Sequence, residues 1–299
     1  MLLSRRRFTG LAVLGAFSGV PGCSVAGTAP VPVPGTPDPV RIGYGPDPSQ
    51  YGELHLPAAA ARRRGVVVVL HGGFWQSGYG AELGTPLAVA LANAGITAWN
   101  VEYRRIGNGG GWPATFEDVA AAVDALAGPA AEHAARAGAV VDLDRVVTLG
   151  HSAGGHLAAW LAGRATLPAG APGGPPRVRV RGVVSQAGVL DLVAADAAGL
   201  GGRSTSELLG GSVAEQPQRY RLASPAAMLP LGVPVTCVHG TADRNVPLTQ
   251  SVEFARAARA AGDPGELVTL AGVDHFALID PETEAWRRCQ DAVMRLLGH

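Results

Sequence analysis

Lysine is absent from this chain: its 24 basic residues are all arginine, and 24 acidic residues balance them to a formal net charge of zero. No basic run outside the amino terminus is long enough to form a stripe along a phosphate backbone, so nucleic acid is excluded as an expected partner. Aromatic residues are scarce, at 5% against 47% apolar residues overall. The core must therefore be built from Val, Leu and Ala, a composition that suits a parallel sheet buried on both faces. Cysteine occurs only at Cys23, Cys237 and Cys289, and His151 and His156 do not share a helix face, so the pattern holds no metal-ligand cluster. The glycine-rich stretch 107–111 lacks a following Lys-Ser/Thr and is not a phosphate loop. No cofactor is called for.

Long hydrophobic runs are also missing. The apolar stretch from Leu11 to Val20 is too short to span a bilayer permanently. Preceded by Ser4-Arg5-Arg6-Arg7-Phe8 and followed by small residues, it reads as an export signal over residues 1–23 that resembles the twin-arginine type. Val20-Pro21-Gly22-Cys23 is similar to a bacterial lipobox, with Pro21 departing from the usual small residue. Two expectations stay open: a secreted protein, or a lipoprotein tethered through Cys23 to the outer side of the bacterial cell membrane. Residues 24–39 form a Pro-rich leader. Cys237 and Cys289 could bridge in an oxidising compartment or stay as buried free thiols.

The remaining chain, 40–299, reads as one catalytic domain. Residues 40–43 and 52–56 form an antiparallel pair at a sheet edge. The continuous run Val66-Val-Val-Val-Leu70 is a strand buried on both faces. Helices over about 83–94, 114–127, 153–165, 250–261 and 282–297 then alternate with strands over 97–101, 146–149, 178–185, 235–239 and 266–270. This is an α/β architecture: a mostly parallel sheet of about eight strands with helices on both faces. The mixed-polarity segment 196–223 reads as an excursion over the active site.

Gly150-His151-Ser152-Ala153-Gly154 lies between a strand and a helix, where a nucleophilic serine sits on a tight turn that flanking glycines permit. His71-Gly72-Gly73-Phe74-Trp75 follows the first buried strand. The amides of Gly72, Gly73 and Phe74 there, with that of Ala153, are candidate donors to a tetrahedral oxyanion. His71 itself reads as a loop organiser. In this chain order the acid and the base follow the serine, so His275 is the candidate base, the terminal His299 being frayed. Asp243, in His239-Gly-Thr-Ala-Asp243, is the leading acid; Asp191 and Asp274 are rivals more simply read as caps. Phe74, Trp75 and Trp112 are candidate walls of an acyl or aryl pocket, with core packing an equal alternative for Trp112.

These motifs, with Tyr44-Gly-Pro-Asp-Pro-Ser-Gln50, Asn100-Val-Glu-Tyr-Arg104 and Asp274-His-Phe276, resemble those of kynurenine formamidase-like and related acyl-esterase α/β hydrolases. The resemblance implies an α/β-hydrolase fold, a Ser152–Asp243–His275 triad and the His-Gly-Gly-x-Trp loop as oxyanion hole. Kynurenine formamidases act inside the cell, whereas this chain carries an export-like segment. The expected activity is therefore that of a serine carboxylic ester hydrolase acting on small substrates. An aryl formamidase is the alternative, and a catalytically silent surface-binding protein the reading from another class.

Overall fold

The computed structural model describes residues 29–299. The expected export signal over 1–23, including Cys23, and the first part of the leader lie outside the described residues. Of the leader's remainder, Val31 and Val33 are exposed, and their backbone exchanges hydrogen bonds with the Asn93 side chain: Val33 N–H donates to Asn93 Oδ1 at 3.0 Å, and Asn93 Nδ2 donates to the Val31 carbonyl at 2.9 Å.

Eight strands form one sheet: β1 (Val40–Gly43), β2 (Tyr51–His55), β3 (Val66–Leu70), β4 (Thr97–Val101), β5 (Val146–His151), β6 (Gly182–Gln186), β7 (Val235–Gly240) and β8 (Gly265–Leu270). Their spatial order is β1-β2-β4-β3-β5-β6-β7-β8; β1, β2 and β4 pair antiparallel and all other neighbours pair parallel. The helices are α1 (Thr85–Asn93), α2 (Ala114–Asp124), α3 (Pro129–Arg136), α4 (Ala153–Gly163), α5 (Leu192–Ala197), α6 (Ser204–Leu209), α7 (Pro217–Ala223), α8 (Thr249–Ala261) and α9 (Glu284–Leu297).

Side chains of a strand alternate between faces, and β3 has apolar residues on both. Val66, Val68 and Leu70 join a core with Phe116 of α2, Leu157 and Trp160 of α4 and Phe254 of α8. Val67 and Val69 join the opposite core, with Leu87 and Leu91 of α1 and Trp286, Cys289 and Val293 of α9. The sheet is thus covered on both sides, which explains the unbroken valine run. Cys237 and Cys289 are free and buried, in β7 and α9.

The structure departs from the sequence expectation at three places. The strand expected over 178–185 begins only at Gly182, because the Asp124 carboxylate accepts the backbone N–H groups of Arg177 and Val178, both at 3.1 Å, and draws them away from the ladder. Val178 and Val180 are nonetheless buried. Residues 129–136 form α3, which the sequence analysis leaves unassigned. The excursion over 196–223 contains three short helices, α5 beginning just before it.

Asp124 also holds Arg164, a guanidinium buried at the end of α4, at 2.9 Å. Replacing Asp124 with Ala leaves that charge unpaired and frees two amides, so unfolding stability should fall by roughly 3 kcal/mol. Urea denaturation checks this; an unchanged midpoint would contradict it.

Candidate active site

The turn between β5 and α4 is built by glycines that let three backbones converge. A Cβ on Gly150 would lie 2.1 Å from the Gly154 carbonyl oxygen, and one on Gly154 would lie 2.1 Å from that of Leu70, at the end of β3. Ser152 sits between them at φ 54° and ψ −119°, a conformation that L residues rarely adopt and that the surrounding packing must enforce. Its N–H donates to the Gln186 carbonyl of β6 at 2.8 Å, which pins the turn to the next strand. Ala153 is the first residue of α4, so its amide has no partner within the helix and carries the positive end of the helix dipole.

Opposite this turn, the loop after β3 runs left-handed through Gly73 (φ 106°), Phe74 (φ 49°) and Trp75 (φ 56°). A Cβ on Gly72 would come within 3.1 Å of Ser152 Cβ, so the loop passes directly against the serine. Among the described residues no protein acceptor takes the amides of Gly73 or Phe74. The loop is held from behind: Trp75 Nε1 donates to His156 Nδ1 at 3.2 Å, the Trp75 carbonyl accepts Ile106 N–H at 2.8 Å, and the Tyr79 ring lies over Gly73. His71 stacks on Tyr103 with ring centroids 4.4 Å apart, and its Nε2 lies 3.2 Å from Glu102 Oε1. Burial alone would raise the Glu102 carboxyl, but hydrogen bonds from His71 and Ala81 and the nearby Arg105 hold it below its ordinary value. His71 therefore organises the loop.

The loops after β7 and β8 supply a carboxylate and an imidazole. His275 Nδ1 donates to Asp243 Oδ2 at 2.6 Å, and Asp243 Oδ1 accepts the amides of Asn245 and Val246, both at 2.8 Å. Burial would raise the Asp243 carboxyl, yet the hydrogen bonds from His239 and His275 outweigh it and hold the group ionised, well below the usual carboxylate range. His151, on the residue before Ser152, donates from Nε2 to the His275 carbonyl at 2.9 Å and lies with its ring 4.4 Å from that of His275. No hydrogen bond joins the Ser152 hydroxyl to His275 among the described residues. Such contacts commonly tighten only when substrate arrives.

Other sequence candidates fall elsewhere. Asp191 caps α5 by accepting the amides of Val193 and Ala194, and Asp274 accepts those of Phe276 and Ala277, so both serve as caps. Trp75 is buried in the core rather than walling a pocket, since its positive φ turns the indole inward onto His156. Trp112 packs on Phe116 and lines a cleft of about 740 Å³ with Pro168, Gln216 and Arg219, and Ser152 does not line that cleft. The apolar groups beside the site are instead Phe276, 39% exposed and edge-on to His275, and Tyr79, 49% exposed over the amide loop. His156 and His239 went unassigned by sequence reasoning; only their tertiary partners give them away.

A strained serine turn, an acceptor-free amide loop and a histidine bonded to an ionised aspartate are parts that acyl transfer uses. No group of His, Cys, Asp and Glu that could hold a metal occurs among the described residues. The sequence profile described as BD-FAE matches residues 53–257. The chain belongs to the BD-FAE family. Solved structures that resemble it include three esterases. A truncated carbohydrate esterase from gut microbiota has a TM-score of 0.74 at 20% identity, over 90% of this chain and 99% of that one. The propionate-bound esterase Est2 of Thermogutta terrifontis has a TM-score of 0.66 at 26% identity, over 89% and 95%. The esterase 2 of the same organism phosphorylated by paraoxon has a TM-score of 0.64 at 25% identity, over 88% and 94%. No functionally curated protein matches the chain. The BD-FAE chain thus has the α/β-hydrolase fold, as its topology requires.

Two buried histidines give this fold a pH dependence. Burial lowers His151 to about 3, with the neighbouring His275 adding to the effect, and burial lowers His156 to about 4. Both are neutral in the folded chain and take up a proton on unfolding near the ordinary histidine value of about 6.5. The stability they contribute is therefore complete above that value and is lost as pH falls from there toward about 4 and about 3. Each site costs at most about 1.4 kcal/mol per pH unit in this window. The urea midpoint should drop between about pH 7 and about pH 5, and a flat midpoint would refute the assignment.

Proposed function

We propose that the chain is a serine hydrolase that cleaves carboxylic esters of small substrates, with Ser152 as nucleophile, His275 as base and Asp243 as acid. The observation that carries this reading is the 2.6 Å hydrogen bond from His275 to an ionised Asp243, on loops beside a serine in a strained turn. The esterase neighbours at 25% identity and above support the ester as substrate.

In this mechanism His275 Nε2 takes the Ser152 proton as Oγ attacks the ester carbonyl. The developing oxyanion accepts the amides of Ala153 and of Gly73 or Phe74, donors fixed before substrate arrives. His275 then protonates the departing alcohol, and water repeats the sequence on the acyl-enzyme. Asp243 holds the imidazole tautomer and stabilises the imidazolium. Phe276 and Tyr79 offer the apolar contact for the acyl or aryl group. We take the amino-terminal segment as directing export, with or without a lipid on Cys23, which would expose the enzyme to environmental esters.

The same groups would attack a formyl amide, and the motif resemblance keeps that substrate as the rival. The purified chain should hydrolyse 4-nitrophenyl acetate with a kcat/KM well above that for N-formylkynurenine. Ser152→Ala should lose about 10⁴-fold or more of that rate. An organophosphonate should label the wild type once per chain and the variant not at all. A dominant formamidase rate would reverse the substrate assignment, and turnover that survives Ser152→Ala would overturn the mechanism.

A further inference from the structure

β7 ends with a second imidazole turned toward the same carboxylate. His239 is buried; its Nδ1 lies 2.8 Å from Ser251 Oγ on α8, and its Nε2 lies 3.0 Å from the Val246 carbonyl oxygen and 3.2 Å from Asp243 Oδ2. A carbonyl and a carboxylate can only accept, so the His239 proton sits on Nε2, and Nδ1 accepts from the Ser251 hydroxyl. The tautomer is dictated by these partners. Asp243 Oδ2 therefore receives two imidazole N–H groups, from His239 and from His275, while Oδ1 receives two amides.

We infer that His239 is a positioning residue for the acid of the proposed triad: its N–H shares Oδ2 with His275, fixes the carboxylate plane and moderates its pull on the His275 proton. The inference rests on the triad reading given above. A carboxylate with one donor fewer is more basic and holds the His275 imidazolium more tightly, so the base is regenerated only at higher pH. Two titratable groups close to His239 stay neutral through the working range. Cys237, on the same strand, is pushed up to about 12 by burial, and His151, at the end of β5, is lowered to about 3. Neither can mimic the effect.

The test measures kcat and KM of the full chain for 4-nitrophenyl acetate across pH, in the wild type, His239→Ala, His239→Gln and Ser251→Ala. The low-field proton resonance of His275 Nδ1–H is recorded alongside. In His239→Ala, kcat should fall about tenfold with KM nearly unchanged, and the acid limb of kcat should move up by about one pH unit. His239→Gln, which returns an N–H donor near Nε2, should recover most of both. Ser251→Ala, which loosens the tautomer without removing the donor, should shift the limb less and in the same direction. The His275 resonance should move in His239→Ala.

An acid limb and a resonance that stay in place in His239→Ala, with kcat lowered only in step with the folded fraction, would overturn the inference. If that variant does not fold, an unshifted limb in Ser251→Ala does so. If the wild type shows no Ser152-dependent turnover, the esterase reading fails by itself, and the resonance alone decides whether His239 acts on the Asp243–His275 pair.

Discussion

The active-site end of this fold depends on one close approach: the first turn of α4 against the end of β3. Gly154 has no side chain, and its Cα can therefore sit where a Cβ would strike the Leu70 carbonyl oxygen at 2.1 Å. That contact brings the serine turn and the loop from His71 to Trp75 face to face. Were the helix pushed back by even one methyl group, the serine turn and that loop would move apart. Backbone strain at Ser152, Phe74 and Trp75 is the cost of this arrangement, and the two cores on either side of the sheet supply the rigidity that sustains it.

Histidine takes several parts around the site, distinguished by partners rather than by position in the chain. His156 accepts from one donor-only indole and donates to the Ala223 carbonyl at 2.9 Å, which makes it a neutral rivet. His151 spends its N–H on the His275 backbone. His239 and His275 both face the carboxylate of Asp243, which can bear the burial because the His275 N–H at Oδ2, two amides at Oδ1 and the nearby His239 ring saturate it. A buried charge without that saturation would have neutralised itself instead.

Much of this was legible in the sequence. Val66 to Leu70 is apolar without a break because both faces of β3 are covered, and Gly150-His-Ser-Ala-Gly154 marks a turn that only glycines allow. Chain order singled out His275 and left Asp243 as the leading acid among rivals, and the structure brings the two to 2.6 Å. Other features depend on contacts that no local pattern encodes. Val178 and Val180 alternate with arginines like a strand, but Asp124, remote in sequence, captures the amides. Trp75 looks like a pocket wall in its loop, whereas two consecutive left-handed residues turn it into the core. α3 has only eight residues and buries just Ala130 and Ala134, two small side chains one turn apart, so it offers too short an apolar pattern to stand out as a separate helix. The partnership of His239 with Asp243 was hidden in plain view, four positions apart across a turn.

Helices α5 to α7 are tied to the amide loop at several points. Glu207 of α6 accepts from the Gln76 side chain at 3.0 Å, the Phe74 ring rests on Gly201, and His156 joins Trp75 to the last residue of α7. This segment is thereby part of the frame that holds the loop from His71 to Trp75. It is not an interchangeable cassette. Grafting this stretch from a relative would disturb that loop as well, so variation should accumulate first at Phe276, whose side chain reaches solvent without bearing on that frame.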